Sequence, residues 1–517
     1  MPFELIGENF NKVNLKKENT ISNKVIFCIL LLAFFVRILF IYYPYWGLEY
    51  EDAYIFSTVS RAINIKYDFS LDPFYTKTGT FGSFLDVQKT ETISGHFIFF
   101  PILLSVINYL IGYSARNVMY VNTFLSLITI FFALKTAVLL EIKKGWLWAF
   151  GLVFITVPFL TIYNTSGLSE TFSSVFVMAA VFYYFKSKAI SFKNRKSVTI
   201  YVILLAAAVF IKRDNLVLMT IPVIDFVAAM YKQDRKGIRK SLAVVFAQII
   251  LIASFSLFLD INRTLLDEFK DIKASPFSIQ YLLRIFPVFV SSLFKVNFFS
   301  IIGFLLCFAL FLSIRRINSS MLVLIAIITG YLFTYSFHYR SYYFVNNNQS
   351  INVIDTLRYF TNFLPIICIF SFLVIGKFID SILKNQYFLT LCVVVTVIFN
   401  VVNIVFLRKD LSDVEFKERI EPVRMTLSLM KADDIIITDR PIVFKLFCSK
   451  ELFVVDVNSV GPTEQRKINE MKRSKRIFVM KDEEQDTRYD SKAQFFADNN
   501  FTFVQKLSSH YNLLELK

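Results

Sequence analysis

Three features of the sequence predict an α-helical polytopic membrane protein with about eleven transmembrane helices, one interfacial helix and a small C-terminal α/β domain. First, apolar runs such as "VIFCILLLAFFVRILFIYYPYW" and "FLTLCVVVTVIFNVVNIVFL" extend for about twenty residues, the length of a bilayer crossing, with at most one charge between them. Second, Lys and Arg collect in alternate connections between the runs. Third, beyond residue 411 the long runs give way to short apolar segments of strand and helix type. Composition agrees, with 55% apolar and 17% aromatic residues and 60 Phe, against the roughly 45–50% apolar content of ordinary soluble domains.

In chain order, the predicted spans are 22–44, 117–140, 146–163, 168–185, 198–211, 216–230, 241–259, 296–314, 319–337, 359–376 and 387–407. The first carries no small-residue cleavage site behind a short apolar core, so it reads as a retained span rather than a signal peptide. The segment "HFIFFPILLSVINYLIGYS" (96–114) is also apolar enough to cross, but counting it would invert every later loop. The charges decide against it. With 96–114 lying along the outer face, Lys143 and Lys144, the Lys186 to Lys196 cluster, "KQDRKGIRK" and Arg315 with Arg316 all fall inside, together with Lys12, Lys16, Lys17 and Lys24 of the N-terminus. The outer loops then hold fewer cations, as the positive-inside rule requires. Arg408 and Lys409 run against the trend, but long translocated tails are largely exempt. This topology places the 46–95 loop and the tail outside a plasma (inner) membrane.

In the tail, "DDIIITD", "ELFVVDV", "RIFVM" and "NLLELK" read as strands, with "RPIVFKLFCS" and "AQFFADNN" as helices between them. That alternation predicts a small α/β unit. The expected domains are therefore a membrane body over 1–411 and an extracytoplasmic α/β domain over 412–517. No glycine-rich phosphate loop and no internal repeat is visible.

Several functions are excluded at this stage. The net charge of +16 follows from membrane topology, and no basic patch interleaves with a soluble aromatic platform, which argues against nucleic acid. Cys28, Cys307, Cys368 and Cys392 lie in apolar runs and Cys448 stands alone in the tail, so neither a disulfide framework nor a CxxC metal site is available. No cofactor is expected, and the sequence does not decide a metal requirement.

The candidate functional residues gather on the outer side. Glu51 and Asp52 follow the first span, in "WGLEYEDAYIFSTVSRAI". Lys89 precedes His96, which begins the interfacial segment. Glu170 sits at the outer start of the fourth span, in "YNTSGLSETF". Lys212 and Arg213 follow the fifth, His338 and Arg340 end the ninth, and Arg358 opens the tenth. Each has a structural reading on its own: solvated carboxylates, interfacial histidines and basic side chains that snorkel to headgroups. Together they point further. Cations at outer span ends suit an anionic partner at headgroup level such as a lipid phosphate. Carboxylates nearby supply a general base. These are the parts of a glycosyl transfer from a lipid-phosphate sugar.

These stretches resemble the GT-C superfamily of membrane glycosyltransferases, of the protein mannosyltransferase and aminoarabinose transferase kind. "YEDAYIFSTVSRAI" is similar to the acidic first-loop motif, and "SGHFIFFPILLSVINYLIG" to the His-Pro-Pro-Leu segment with its interfacial helix. "YNTSGLSETFSSVFVMAAVFYYF" resembles the second acidic element, and "IKRDNLVLMTIP" and "RYFTNFLPIICIF" the basic motifs of later spans. The similarity covers most of 22–380 in order. It implies a GT-C-like fold, a polyprenyl-phosphate-linked sugar as donor and a glycan, lipid or protein as acceptor. It further implies Glu51 or Asp52 as catalytic carboxylate with Glu170 assisting. Arg358, Arg213, Lys212 and Lys89 would meet the donor phosphate, and Tyr54, His96, His338 and Arg340 would line the substrate site. Three departures stand out: Glu-Asp replaces the commoner Asp-Glu or Asp-Asp, Glu170 replaces Asp, and no Pro follows His96. The alternative is a flippase or transporter of lipid-linked glycans, which predicts mid-membrane charges and paired halves. Here Arg37 is the main charge well inside a run.

Overall fold

The computed structural model describes residues 15–42, 60, 99–114, 116–165, 169–189, 195–231, 233–258, 278–314, 318–337, 358–382, 386–415, 420–431, 434–438, 453–456, 476–482, 499–507 and 511–516, with positions 444, 468, 470 and 472 between them. Its helices are α1 (Leu15–Tyr42), α2 (Phe99–Ile111), α3 (Asn117–Leu139), α4 (Lys144–Thr156), α5 (Pro158–Asn164), α6 (Glu170–Ala189) and α7 (Arg195–Ile211). After a 3-10 helix (Arg213–Met219) come α8 (Thr220–Tyr231), α9 (Arg235–Phe258), α10 (Ile279–Ser292), α11 (Val296–Phe299), α12 (Ile302–Ser313) and α13 (Ser319–Phe337). A second 3-10 helix (Arg358–Asn362) leads into α14 (Leu364–Ile382), α15 (Gln386–Glu415) and α16 (Glu421–Leu429).

Every span read from the sequence coincides with a helix or a broken pair of helices, and α2 stands where the interfacial helix was expected. Among the described residues, Asn117–Leu139, Asp214–Tyr231, Ser319–Phe337 and Leu389–Leu407 are each long and apolar enough to cross a membrane. The remaining expected spans either carry charges in their end turns, as α6, α7 and α9 do, or are short, as α12 is. One helix, α10, was not foreseen. It is amphipathic and contains Pro287, and its mixed polarity hid it among the loop residues of the sequence.

The expected span 146–163 is broken. Its halves α4 and α5 meet at 59°. The cause is Pro158, which lacks the backbone N–H that would continue α4 and forces Val157 into an extended conformation (φ −54°, ψ 119°). The Ile155 carbonyl released by the break accepts a hydrogen bond from Thr161 Oγ1 at 3.0 Å. It also takes a long 3.5 Å contact from Nη1 of the buried Arg37 on α1. α1 reaches α4 closely because residue 151 is glycine: a Cβ there would collide with Ile29. Gly376 on α14 likewise admits the ring of Trp146, 3.1 Å from where a Cβ would stand.

By their internal contacts the residues form two compact units, Met1–Phe40 with Asn122–Leu407, and Ile41–Val121 with Arg408–Lys517. The second unit contains a five-stranded sheet of β1 (Ile435–Thr438), β2 (Phe453–Asp456), β3 (Ile477–Asp482), β4 (Phe501–Lys506) and β5 (Tyr511–Leu516), in the order β2-β1-β3-β5-β4. β1 pairs in parallel with β2 and β3, so crossover connections are required. Helical residues at 444 and 468 lie between those strands. β5 runs antiparallel to β3 and β4. The interior strand β1 is buried along its whole length, which explains its unbroken Ile-Ile-Ile sequence. Ile435, Ile437, Ile468, Ile477, Val479 and Leu516 form the core. The two predicted helices of the tail, 440–449 and 493–500, lie almost wholly outside the described residues. β4 was not expected: "FTFVQK" has strand-type alternation, but a bulge between Phe503 and Gln505 interrupts its pairing.

Candidate functional site

The site is built at the first turn of α6. The preceding α5 delivers Asn164, whose Oδ1 accepts from Thr171 Oγ1 at 3.2 Å and so ties the end of α5 to the start of α6. Glu170 is the first residue of α6, where the helix dipole favours a negative charge. Its side chain is only 4% exposed.

Lys212 reaches Glu170 because it leaves α7 in an extended conformation (φ −152°, ψ 119°), just before the 3-10 helix that starts at Arg213. Its Nζ donates to Glu170 Oε1 at 3.1 Å and lies 4.0 Å from Asp214 Oδ2. Arg358, at the start of the second 3-10 helix, puts Nε 3.6 Å from the same Glu170 Oε1. Lys212 also sits 4.6 Å above the Tyr359 ring and 5.9 Å from that of Tyr335, contacts that stabilise a desolvated cation. Those two rings are themselves stacked, 4.6 Å apart at 16°. One carboxylate oxygen thus faces two cations. A fourth charge, Asp214, is 29% exposed and pairs with Lys212 at the edge of the cluster.

A shell of neutral groups fixes this geometry. Asn215 donates through Nδ2 to Ser173 Oγ (2.8 Å) and to the Ala208 carbonyl (2.7 Å), and its Oδ1 accepts from Tyr331 O–H at 2.7 Å. Its backbone N–H returns to the Lys212 carbonyl at 3.0 Å. One asparagine therefore links α6, α7 and α13 around the turn that presents Lys212. Asn362 Nδ2 donates to Tyr335 O–H at 3.2 Å, and Tyr331 stacks on Phe363 at 5.2 Å and 8°. Among the described residues, Lys212 and Arg358 converge on one buried carboxylate, a gathering of cations that suits an anionic ligand.

Of the residues singled out in the sequence, Glu170, Lys212 and Arg358 meet in this cluster. Arg213 adjoins Lys212 in the chain and opens the 3-10 helix. Glu51, Asp52, Tyr54, Lys89, His96, His338 and Arg340 lie outside the described residues. Asn215, Tyr331, Tyr335 and Tyr359 were missed. Tyr359 sits beside Arg358 in "RYFTNFLP", and Tyr331 with Tyr335 has the i, i+4 spacing that puts both rings on one helix face; both signals are present in the sequence. Among the described residues no three His, Cys, Asp or Glu side chains group as a metal site.

The far end of α6 holds a second carboxylate–lysine pair. Tyr184 O–H donates to Asp225 Oδ1 at 2.8 Å, Lys188 Nζ donates to Tyr184 O–H at 3.1 Å, and Lys188 stands 3.7 Å from Asp225. In the other unit, Asn117 Nδ2 donates to Asn108 Oδ1 (2.7 Å) and to the Gly112 carbonyl (2.8 Å), while Asn108 Nδ2 donates to Ser60 Oγ (3.0 Å). That ladder fastens Ser60, of the first loop, to α2 and α3.

Neither a family model nor a curated protein matches the sequence. Solved structures do match the fold. ArnT from Cupriavidus metallidurans, an aminoarabinose transferase solved bound to undecaprenyl phosphate, aligns over 96% of this chain and 98% of its own with a TM-score of 0.56 at 11% identity. Its apo form aligns over the same shares with a TM-score of 0.57 at 10% identity. The Archaeoglobus fulgidus oligosaccharyltransferase, tethered to an acceptor peptide with an NVT sequon, aligns over 96% of this chain and 74% of its own, with a TM-score of 0.51 at 10% identity. The chain has the multi-pass GT-C membrane fold, with a small C-terminal sheet.

Proposed function

We propose that the chain is a membrane glycosyltransferase that takes a sugar from a polyprenyl-phosphate donor and passes it to a glycan, lipid or protein acceptor outside the plasma (inner) membrane. The observation that carries this reading is the buried cluster in which Lys212 and Arg358 share the single carboxylate of Glu170. In a membrane fold, two cations gathered at a helix start suit a lipid-borne phosphate. The likeness to ArnT, solved with undecaprenyl phosphate, supports the same ligand class.

In this reading Lys212 and Arg358 bind the donor phosphate and stabilise the charge that grows on it as the glycosidic bond breaks. A first-loop carboxylate, Glu51 or Asp52, removes the proton from the acceptor hydroxyl. Arg213 and Lys89 add positive charge on the donor side, and Tyr54, His96, His338 and Arg340 line the sugar and acceptor positions. The membrane body over 1–411 carries the chemistry, and residues 412–517 form an extracytoplasmic domain.

The test begins with mass spectrometry of envelope glycans from a deletion strain, which should lack one sugar. Complementation with Asp52→Asn or Glu51→Gln should fail to restore it while the variant inserts at normal levels. Full restoration by both variants would remove the first-loop base from the mechanism. Arg358→Ala should weaken use of donor more than use of acceptor, and equal effects would contradict its contact with phosphate.

A further inference from the structure

We propose that the end of α6 remote from Glu170 carries a lipid site, formed with α3 and α1, in which Lys135 and Lys186 together hold the phosphate of an anionic glycerophospholipid. The inference rests on the multi-pass membrane fold and not on the transfer chemistry.

The packing of α3 on α6 assembles the site. The rings of Phe132 on α3 and Phe182 on α6 lie 5.6 Å apart. On the Glu170 side of that contact, Thr129 Oγ1 and Ser174 Oγ share a hydrogen bond of 3.0 Å, so the two helices run in the same direction. A residue three or four positions beyond a contact falls on the same helix face. Lys135 follows Phe132 by three positions and Lys186 follows Phe182 by four. Both lysines therefore stand one turn beyond the ring contact, on the facing sides of α3 and α6. Their charges are close enough to act on one another.

Neutral groups fix each side chain. Lys135 is half-buried, donates from Nζ to Asn23 Oδ1 of α1 at 2.7 Å and lies 5.7 Å from the centre of the Phe131 ring. Lys186 is exposed and lies over Phe182 at 5.7 Å and Tyr183 at 5.3 Å. Such contacts steady an ammonium group without neutralising it. The carboxylate at this end of α6, Asp225, is engaged by Lys188 at 3.7 Å and by Tyr184 at 2.8 Å. Among the described residues neither Lys135 nor Lys186 has a carboxylate partner. Two like charges brought together from different helices repel, and an anion bridging them recovers that cost.

The depth of the pair selects the kind of anion. From Glu170 to Lys186, α6 rises about 24 Å, close to the hydrocarbon thickness of about 30 Å. Glu170 opens the span, so the lysine pair stands at the opposite headgroup level. The Phe131, Phe132 and Phe182 rings lie on the bilayer side of the lysines, where acyl chains run. In the topology proposed above this level is the inner leaflet, where anionic lipids collect and basic pockets between spanning helices take phosphate headgroups. A headgroup with one negative charge and no amine fits the pair. A zwitterionic headgroup brings a cation of its own and is disfavoured.

The experiment uses the full chain in detergent, with dioleoyl phosphatidylglycerol and dioleoyl phosphatidylcholine as probes and native mass spectrometry to measure the affinity of the first lipid bound. The wild-type chain should bind phosphatidylglycerol at least about fivefold more tightly, the worth of one basic residue beside an anionic headgroup. Lys135→Gln and Lys186→Gln should each lower phosphatidylglycerol affinity about fivefold and leave phosphatidylcholine unchanged. Lys144→Gln removes the same charge from the exposed start of α4 and should change neither. Equal losses from Lys144→Gln and Lys186→Gln would reveal diffuse attraction to a basic face and overturn the site. No loss from Lys186→Gln would overturn it too, and because that side chain is exposed the result stands even where Lys135→Gln fails to fold. Displacement of phosphatidylglycerol by inorganic phosphate at equal concentration would make the ligand a free ion rather than a lipid, which also overturns the proposal. None of these measurements uses a sugar donor, so failure here leaves the transfer reaction untouched, and failure of transfer leaves the lipid site standing.

Discussion

The two ends of α6 carry the same pair of residue types with opposite outcomes. At its start, Glu170 meets Lys212 and Arg358, one carboxylate against two cations, in a pocket of stacked tyrosines. At its end, Asp225 meets Lys188, and the Tyr184 hydroxyl bonds to both. The second pair is partly hydrated, with side chains 23% and 18% exposed, and fastens α6 to α8. The first is more deeply desolvated and gathers two cations at one oxygen. Burial and the convergence of cations, rather than the mere presence of ions, separate a ligand site from a brace.

Paired substitutions break or sharpen this contrast. The largest effect is expected from Lys212→Met, which should lower transfer about 10²- to 10³-fold, the range for removing one group that stabilises developing charge. Lys188→Met should leave transfer within about threefold. Equal losses in a reconstituted transfer assay would erase the distinction. Next, Asp225→Ala removes both the acceptor of the Tyr184 hydroxyl and the counter-charge of Lys188. Thermal unfolding in detergent should show about 1–3 kcal/mol of lost stability, with donor affinity unchanged. The smallest effect is expected from Tyr331→Phe, which deletes one neutral hydrogen bond to Asn215 and should cost about 1 kcal/mol. Donor affinity should fall only slightly, because the Tyr335–Tyr359 stack under Lys212 is retained.

The same contrast shows what the sequence discloses. Helices were legible because uninterrupted apolar runs leave a backbone in lipid no other way to satisfy its hydrogen bonds. Glu170, Lys212 and Arg358 were legible because charge at the end of such a run is costly and therefore conspicuous. Their partners were not. Tyr331 and Tyr335 sit in an apolar stretch where tyrosine commonly marks an interfacial belt, and only the packing of α13 shows them turned toward Asn215 and Lys212. Asn215 reads locally as a turn residue; its role comes from contacts with Ser173 and Tyr331, 42 and 116 positions away. The strand β4 was hidden by its bulge, and the broken span 146–163 by the apolar character that both halves share. Pro158 was the one signal of that break.

That break has a consequence for how the chain is made. Arg37 finds the Ile155 carbonyl 118 residues downstream, so when the first hydrophobic segment leaves the ribosome the group it will contact has not been synthesised. An arginine near the middle of an inserting helix costs about 2.5–3.5 kcal/mol on translocon scales. Until the bent pair α4–α5 emerges, Arg37 lacks the Ile155 carbonyl as a partner, and the apolar residues around it in α1 must carry that cost.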